Sequence, residues 1–140
     1  MTPYGHFARI VARQHDLEGA ALVDDVASRD AWLEQRGLVA GDLTAIDDAL
    51  MGPIAAAASP RDADHYAELY RTVFAALDRL DTDLTSRRFV AGATPGLADW
   101  WLFAILIRFD AVYYPLYKLN RTRLRDFATL PHYLGDLYQQ

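Results

Sequence analysis

The chain contains no cysteine. Disulfides, a thiolate nucleophile and any Cys-based metal site are therefore excluded from its own chemistry. Positive charge is also scarce: 14 Lys and Arg stand against 19 Asp and Glu, a formal net charge of −5. A mild excess of carboxylates argues against nucleic-acid binding and against anionic membranes, both of which need clustered cations. Long apolar runs are missing as well. The longest, over 97–107, is about half of the roughly twenty residues a bilayer requires, so no membrane span is expected. Eight Gly and six Pro in 140 residues are too few for extended disorder. His6, His15, His65 and His132 are scattered, with no i, i+4 pair and no ligand cluster, so no metal is expected. There is no P-loop, dinucleotide fingerprint or Ser-His-Asp arrangement. The first sixteen residues, MTPYGHFARIVARQHD, lack the apolar core of a secretory signal, and the expected location is the cytoplasm.

What remains is a compact one-domain length that is 52% hydrophobic. The organising stretch is 97–117, LADWWLFAILIRFDAVYYPLY. Its first eleven residues are apolar almost all round, which places a helix in the middle of a core. Gly96 sits at the N-cap and Asp99 in the first turn, where a carboxylate meets the positive end of the helix dipole; Asp99 reads as a structural cap. Pro115 should end this helix, gathering Tyr113, Tyr114 and Tyr117 at one terminus. Upstream, the spacing predicts a helix over 3–15 and a short one over 28–35, capped by Ser28 and stopped at Gly37, with Trp32 and Leu33 buried. Residues 19–26 read as a short strand or a turn. Asp42 or Thr44 begins a helix that Gly52 and Pro53 should break at residue 50, and 54–64 is at best partly helical.

Apolar residues at Tyr66, Leu69, Tyr70, Val73, Phe74, Leu77, Leu80 and Leu84 then recur at three- and four-residue steps, the clearest amphipathic helix in the chain. A helix over 121–127, a break at Pro131 and a last helix over 132–138 follow. The pattern is all-α with short connections. Two sets of side chains compete between packing and chemistry. Tyr113, Tyr114 and Tyr117 offer hydroxyls to an aromatic ligand, or pack in the core. Lys118, Arg121, Arg123 and Arg125 form a basic cluster that could grip a carboxylate, or a solvated face pairing with Asp110 and Asp126. Trp100 and Trp101 point about a hundred degrees apart, so at least one belongs to the core.

The segments FAALDRLDTDL, RRFVAG, GLADWWLFAILIRFDAVYYPLYKLN and LPHYLGDLYQ, in that order, resemble the C-terminal domain of glutathionyl-hydroquinone reductases, the xi class of glutathione transferases. The most specific piece is Arg108-Phe109-Asp110-Ala111-Val112-Tyr113 with Lys118 and Asn120. At the other end Thr2-Pro3-Tyr4-Gly5-His6 is similar to that family's Cys-Pro-Trp-Ala-His turn, which places Thr2 at the nucleophile's position. A threonine hydroxyl cannot exchange disulfides, so cysteine-type reductase chemistry is excluded, while hydrogen bonding to a glutathione thiolate survives. Neither the Val-Pro pair nor the Glu-Ser pair that holds glutathione in the family is found, and GPIAAAAS stands where the family has a tyrosine.

The resemblance implies an all-α bundle like the C-terminal half of a glutathione transferase, with a truncated thioredoxin-like remnant over 1–43 and the helical domain over 44–140. It implies Thr2 and Tyr113 as catalytic positions, and Tyr4, His6, Trp101, Arg108, Tyr114, Tyr117 and Lys118 around the substrate. The expected function is action on, or binding of, quinones and aromatic electrophiles, with glutathione as the implied cofactor. The alternative is a non-catalytic member that binds a small hydrophobic ligand or a protein. Loss of half the fold should expose apolar helix faces, so a homodimer is expected.

Overall fold

The structure is a computed structural model that describes residues 2–140, the side chains of Leu22 and Asp42 apart. It is helical with no strand among the described residues. Helix α1 (Pro3–His15) begins at Thr2, whose Oγ1 accepts the Gly5 N–H at 3.0 Å while Pro3 occupies the first turn, where its missing N–H costs nothing. Residues 19–26 hold no strand; Ala20–Leu22 form a single 3₁₀ turn. Helix α2 (Val26–Gln35) is capped by Asp25, three residues earlier than expected. Ser28 completes the cap from inside the first turn: Asp25 accepts the Ser28 N–H at 2.7 Å, and the Ser28 hydroxyl accepts the Asp25 N–H at 3.1 Å. Trp32 and Leu33 are buried, and Gly37, at φ +73°, follows the helix end.

The expected break at Gly52 and Pro53 does not occur. Helix α3 (Gly41–Ile46) passes through a π-helical turn (Asp47–Met51) directly into α4 (Gly52–Ala57), where Ile54 and Ala57 are core residues. In the wide turn the Gly52 N–H reaches the Asp47 carbonyl, five residues back, so the hydrogen-bond ladder is re-phased just before Pro53 enters without a donor. The turn leaves no space for a side chain at residue 52, since a Cβ there would lie 2.8 Å from the Asp47 carbonyl oxygen. Gly52→Ala is accordingly expected to destabilise the protein by about 1–2 kcal/mol in urea unfolding, although alanine is the better helix former, because a backbone oxygen cannot move aside as a side chain would.

Helix α5 (Ala63–Asp83), capped by Asp62, buries Val73, Phe74 and Leu77 as its periodicity predicts. At the centre lies α6 (Leu97–Leu106), in which every residue from Ala98 to Leu106 is buried; α1, α3 and α8 pack on it. The central helix then departs from expectation. It turns at residues 107–108, continues as a second π-helical turn (Phe109–Tyr113) and ends in the short α7 (Tyr114–Leu116). Pro115 therefore sits inside the last helical turn instead of terminating it, again just after a π-turn in which the Tyr114 N–H bonds back to the Phe109 carbonyl.

No helix spans 121–127. Only a 3₁₀ turn (Leu124–Asp126) forms, and the Asp110 carboxylate receives the Leu124 and Arg125 backbone N–H groups. Asp110 is thus occupied by backbone and not by the basic cluster; Arg121 pairs instead with Asp78, and Arg123 lies 4.1 Å from the Tyr114 ring centroid. Pro131 does not break the last helix but lies in the first turn of α8 (Leu130–Tyr138). None of the described helices is long and apolar enough to cross a membrane.

Candidate functional site

The N-terminal turn of α1 and the C-terminal end of α6 meet, and most of the sequence-predicted positions meet there with them. The Arg108 guanidinium, leaving α6 toward α1, lies 3.0 Å from His6 Nδ1, donates to the Ala104 carbonyl and reaches the Thr2 carbonyl oxygen at 3.4 Å. An arginine can only donate, so His6 Nδ1 is the acceptor and the imidazole carries its proton on Nε2. Burial, and then the positive charges of Arg108, Arg9 and Arg13, hold the His6 pKa below its ordinary value, so the ring is neutral at neutral pH. Thr2 uses one hydroxyl lone pair as the α1 cap; its own proton remains available for donation.

Tyr113 is only 4% exposed. Burial pushes its phenol up to about 12, opposed by the nearby Arg108 charge and reinforced by Tyr117 and Tyr4. The Tyr113 and Tyr117 rings stand 5.4 Å apart. A phenol with this pKa is a hydrogen-bond donor at any physiological pH and never a base. Because the raised pKa favours the protonated folded form, this contribution to stability is complete below pH 10 and is lost as pH rises from 10 through about 12. Ultraviolet titration at 295 nm should show one tyrosinate appearing near pH 12, absent in Tyr113→Phe.

Beneath this cluster Tyr4 packs on Trp101, with ring centroids 4.8 Å apart. Trp101 itself has no exposed surface and donates its indole N–H to Asp47 at 3.0 Å, so both tryptophans of α6 are core residues. Two residues of this region carry no sequence signal. Arg29, fully buried, makes a two-pronged ion pair with Asp47, at 2.9 and 2.7 Å, and its guanidinium lies 4.9 Å from the Trp101 ring centroid. Arg29 reads as an ordinary surface arginine beside Asp30, with which it pairs at 2.9 Å, and the docking of α2 against the π-turn after α3 is what buries it and adds the Asp47 carboxylate.

Three predicted positions remain: Tyr114, Tyr117 and Lys118. Tyr114 and Tyr117 are half-buried, and Lys118 is exposed in the left-handed backbone region at φ +57°, with its carbonyl accepting the Tyr66 hydroxyl at 2.8 Å. No group of three metal-ligating side chains occurs among the described residues.

Comparison with known proteins agrees with the all-helical fold. The model of the glutathione S-transferase C-terminal domain family matches residues 63–134. Glutathionyl-hydroquinone reductase PcpF of Sphingobium chlorophenolicum is 38% identical over 72 residues, which cover 51% of this chain and 23% of that protein. The chain thus matches less than a quarter of the length of that relative. Among solved structures, a xi-class glutathione transferase from Natrialba magadii superposes with a TM-score of 0.68 at 32% identity, over 70% of this chain and 30% of its own. The glutathione-bound YqjG of Escherichia coli, a glutathione transferase homologue, gives a TM-score of 0.68 at 27% identity, over 84% and 38%. With its helical bundle, its Asp99-capped central helix and more than half its length matched, the chain belongs to the glutathione S-transferase C-terminal domain family and is related to the xi-class glutathionyl-hydroquinone reductases.

Proposed function

We propose that the protein binds quinones or related aromatic electrophiles in the manner of a glutathione transferase, without cysteine-dependent reduction. The observation that carries this reading is the convergence of Thr2, Tyr4, His6, Arg108 and Tyr113 at the junction of α1 and α6. Tyr113 supplies a protonated phenol to polarise a quinone oxygen, and Tyr4 over Trp101 supplies an aromatic surface. Thr2 supplies a hydroxyl at the positive end of α1, where a glutathione thiolate would be stabilised. Tyr114, Tyr117 and Lys118 belong to the outer part of the same proposed site.

Calorimetry with menadione and with glutathione, alongside turnover of a glutathionyl-hydroquinone, tests the proposal. Menadione should release heat, and Tyr113→Phe should weaken it by about two- to tenfold, corresponding to a hydrogen bond of roughly 0.5–1.5 kcal/mol. Unchanged affinity in that variant returns Tyr113 to the core. A non-catalytic role is the second reading, supported by the helical, strand-free course of the described residues between α1 and α3. Menadione binding without any turnover selects it. The division at residues 43 and 44 into a thioredoxin-like remnant and a helical domain, and assembly as a homodimer, belong to the same proposal. Exposed Val26, Val39 and Leu116 support the dimer, and a monomer in sedimentation counts against it.

A further inference from the structure

Helix α5 presents Tyr66, Tyr70, Phe74 and Asp78 at four-residue steps, so these side chains form one row along its length. The hydrophobic period accounts for Phe74, which is buried, but not for two phenols and a carboxylate in the same row. What the row faces is the irregular segment 117–121 that follows α7. The Tyr66 hydroxyl lies 2.8 Å from the Tyr117 carbonyl oxygen and 2.8 Å from that of Lys118, and its single proton is shared between them. Burial, and then the neighbouring Tyr70, hold the Tyr66 pKa above its ordinary value, so the hydroxyl stays a donor. One turn on, the Tyr70 hydroxyl stands 3.4 Å from Asn120 Oδ1. Arg121 closes the row: its guanidinium lies 4.6 Å from the Phe74 ring centroid and donates two hydrogen bonds to the Asp78 carboxylate.

The segment is fastened mainly by these side chains. Leu119 is its one fully buried residue, and the Leu119 N–H, bonded to the Tyr113 carbonyl at 3.2 Å, makes its one hydrogen bond between main-chain groups among the described residues. Lys118 holds a left-handed backbone, φ +57°, which a residue with a Cβ keeps only where its surroundings impose it. A segment with few buried contacts and exposed fastenings opens more readily than the helices it lies on. Opening bears directly on Tyr113, because the Tyr117 ring stands 5.4 Å from the Tyr113 ring, which is itself only 4% exposed. We propose that residues 117–121 are a strap that gates the Tyr113 phenol, with Tyr66 as the positioning residue that holds it shut. This strap deepens the reading of Tyr113 given above and depends on it only for the identity of the ligand. A quinone then binds the opened fraction of molecules, and its apparent affinity is lowered by that fraction. Loosening the strap must therefore strengthen binding, whereas mere disorder around a site weakens it.

Two variants of the whole chain test the assignment. Tyr66→Phe removes one hydroxyl and keeps the ring beside Tyr70; Arg121→Gln, at an exposed position, unfastens the other end. Native-state hydrogen exchange followed by NMR reads the strap without any ligand. In the parent protein the Leu119 amide should be at least about tenfold less protected than that of Ile105, inside α6, and insensitive to dilute guanidinium chloride, the mark of local opening. Tyr66→Phe should lower that protection about fivefold, and Arg121→Gln about twofold. Tetranitromethane should nitrate Tyr113, located by mass spectrometry, faster by the same factors. Menadione affinity should rise by those factors too, in contrast to the loss expected of Tyr113→Phe. Leu119 protection equal to that of Ile105 overturns the strap, as does a Tyr113 nitration rate unmoved in both variants. Weaker menadione binding in both variants overturns the gate. If menadione binds none of the proteins, the quinone reading fails, and exchange and nitration alone decide the strap.

Discussion

Asp99→Ala is expected to cost about 3–5 kcal/mol and to lower Tm by about 10–20 °C, among the largest single effects available in this chain. The carboxylate has no exposed surface and accepts four hydrogen bonds. Three come from backbone N–H groups, Val90 at 2.7 Å, Ala91 at 3.1 Å and Gly96 at 3.0 Å, and the fourth from the Tyr133 hydroxyl at 2.7 Å. It therefore does more than cap α6. It ties the 89–92 turn and α8 to the start of the central helix, and truncation leaves several buried donors without partners in one step. Asp99→Asn should recover only part of the loss, because its NH₂ group faces donors where the second carboxylate oxygen had accepted.

Tyr133 is buried and its pKa is raised, first by burial and then by the Asp99 charge, so its hydroxyl stays protonated and remains the donor. Tyr133→Phe should cost about 1.5–3 kcal/mol, the worth of a hydrogen bond to a charged acceptor, since the other three donors still satisfy Asp99. In the Asp99→Ala background the same change should cost much less. Urea unfolding of the two single variants and the double variant measures the coupling, and strict additivity would show that the two groups do not act together.

Asp47→Ala is the second large expectation, again about 3–5 kcal/mol. It leaves the Arg29 guanidinium, with no exposed side-chain surface, without its two-pronged partner, and removes the acceptor of the Trp101 indole. The exposed Asp30 still pairs with Arg29, but it cannot replace a carboxylate placed between α2 and α6. Arg29→Met should be much milder, about 1–2 kcal/mol. A methionine fills similar space beside Trp101 and Tyr4, and the Asp47 left behind is 15% exposed and can take water. If the two variants unfold at the same urea concentration, the buried guanidinium is not the costly group.

Local signals in this chain are of unequal strength. In α5 the three- and four-residue spacing from Tyr66 to Leu84 is long enough for the period alone to define the helix, and the buried face is the expected one. The all-apolar stretch of α6 announces its central position, and Asp99 its cap, though not that Tyr133 and two turn amides share the carboxylate. The two π-turns were illegible. Pro53 and Pro115 are helix breakers in any local reading, and they are accommodated because the turn before each shifts the hydrogen-bond ladder by one residue. The 121–127 segment has helix-forming residues, but Asp110 takes its amides and holds it to one 3₁₀ turn.

For the candidate site the division is similar. The motif around Arg108 and Tyr113, and the turn from Thr2 to His6, are contiguous residues, so their resemblance to the reductases can be read along the chain and implies both the family and the positions that matter. Their meeting, with Arg108 against His6 and Thr2, spans about a hundred residues of sequence and exists only because α1 docks on α6.

By itself, then, the sequence determined the class of fold, the identity of the central helix, the family and the absence of cysteine from these 140 residues, since each follows from composition, period or a short motif. Only the tertiary structure decided that Arg29 and Asp47 are paired inside the protein, that the prolines ride on π-turns, and that one row of α5 side chains holds residues 117–121. Those features depend on the free energy of groups brought together from distant parts of the chain, and no local pattern encodes which carboxylate, carbonyl or ring a side chain will meet.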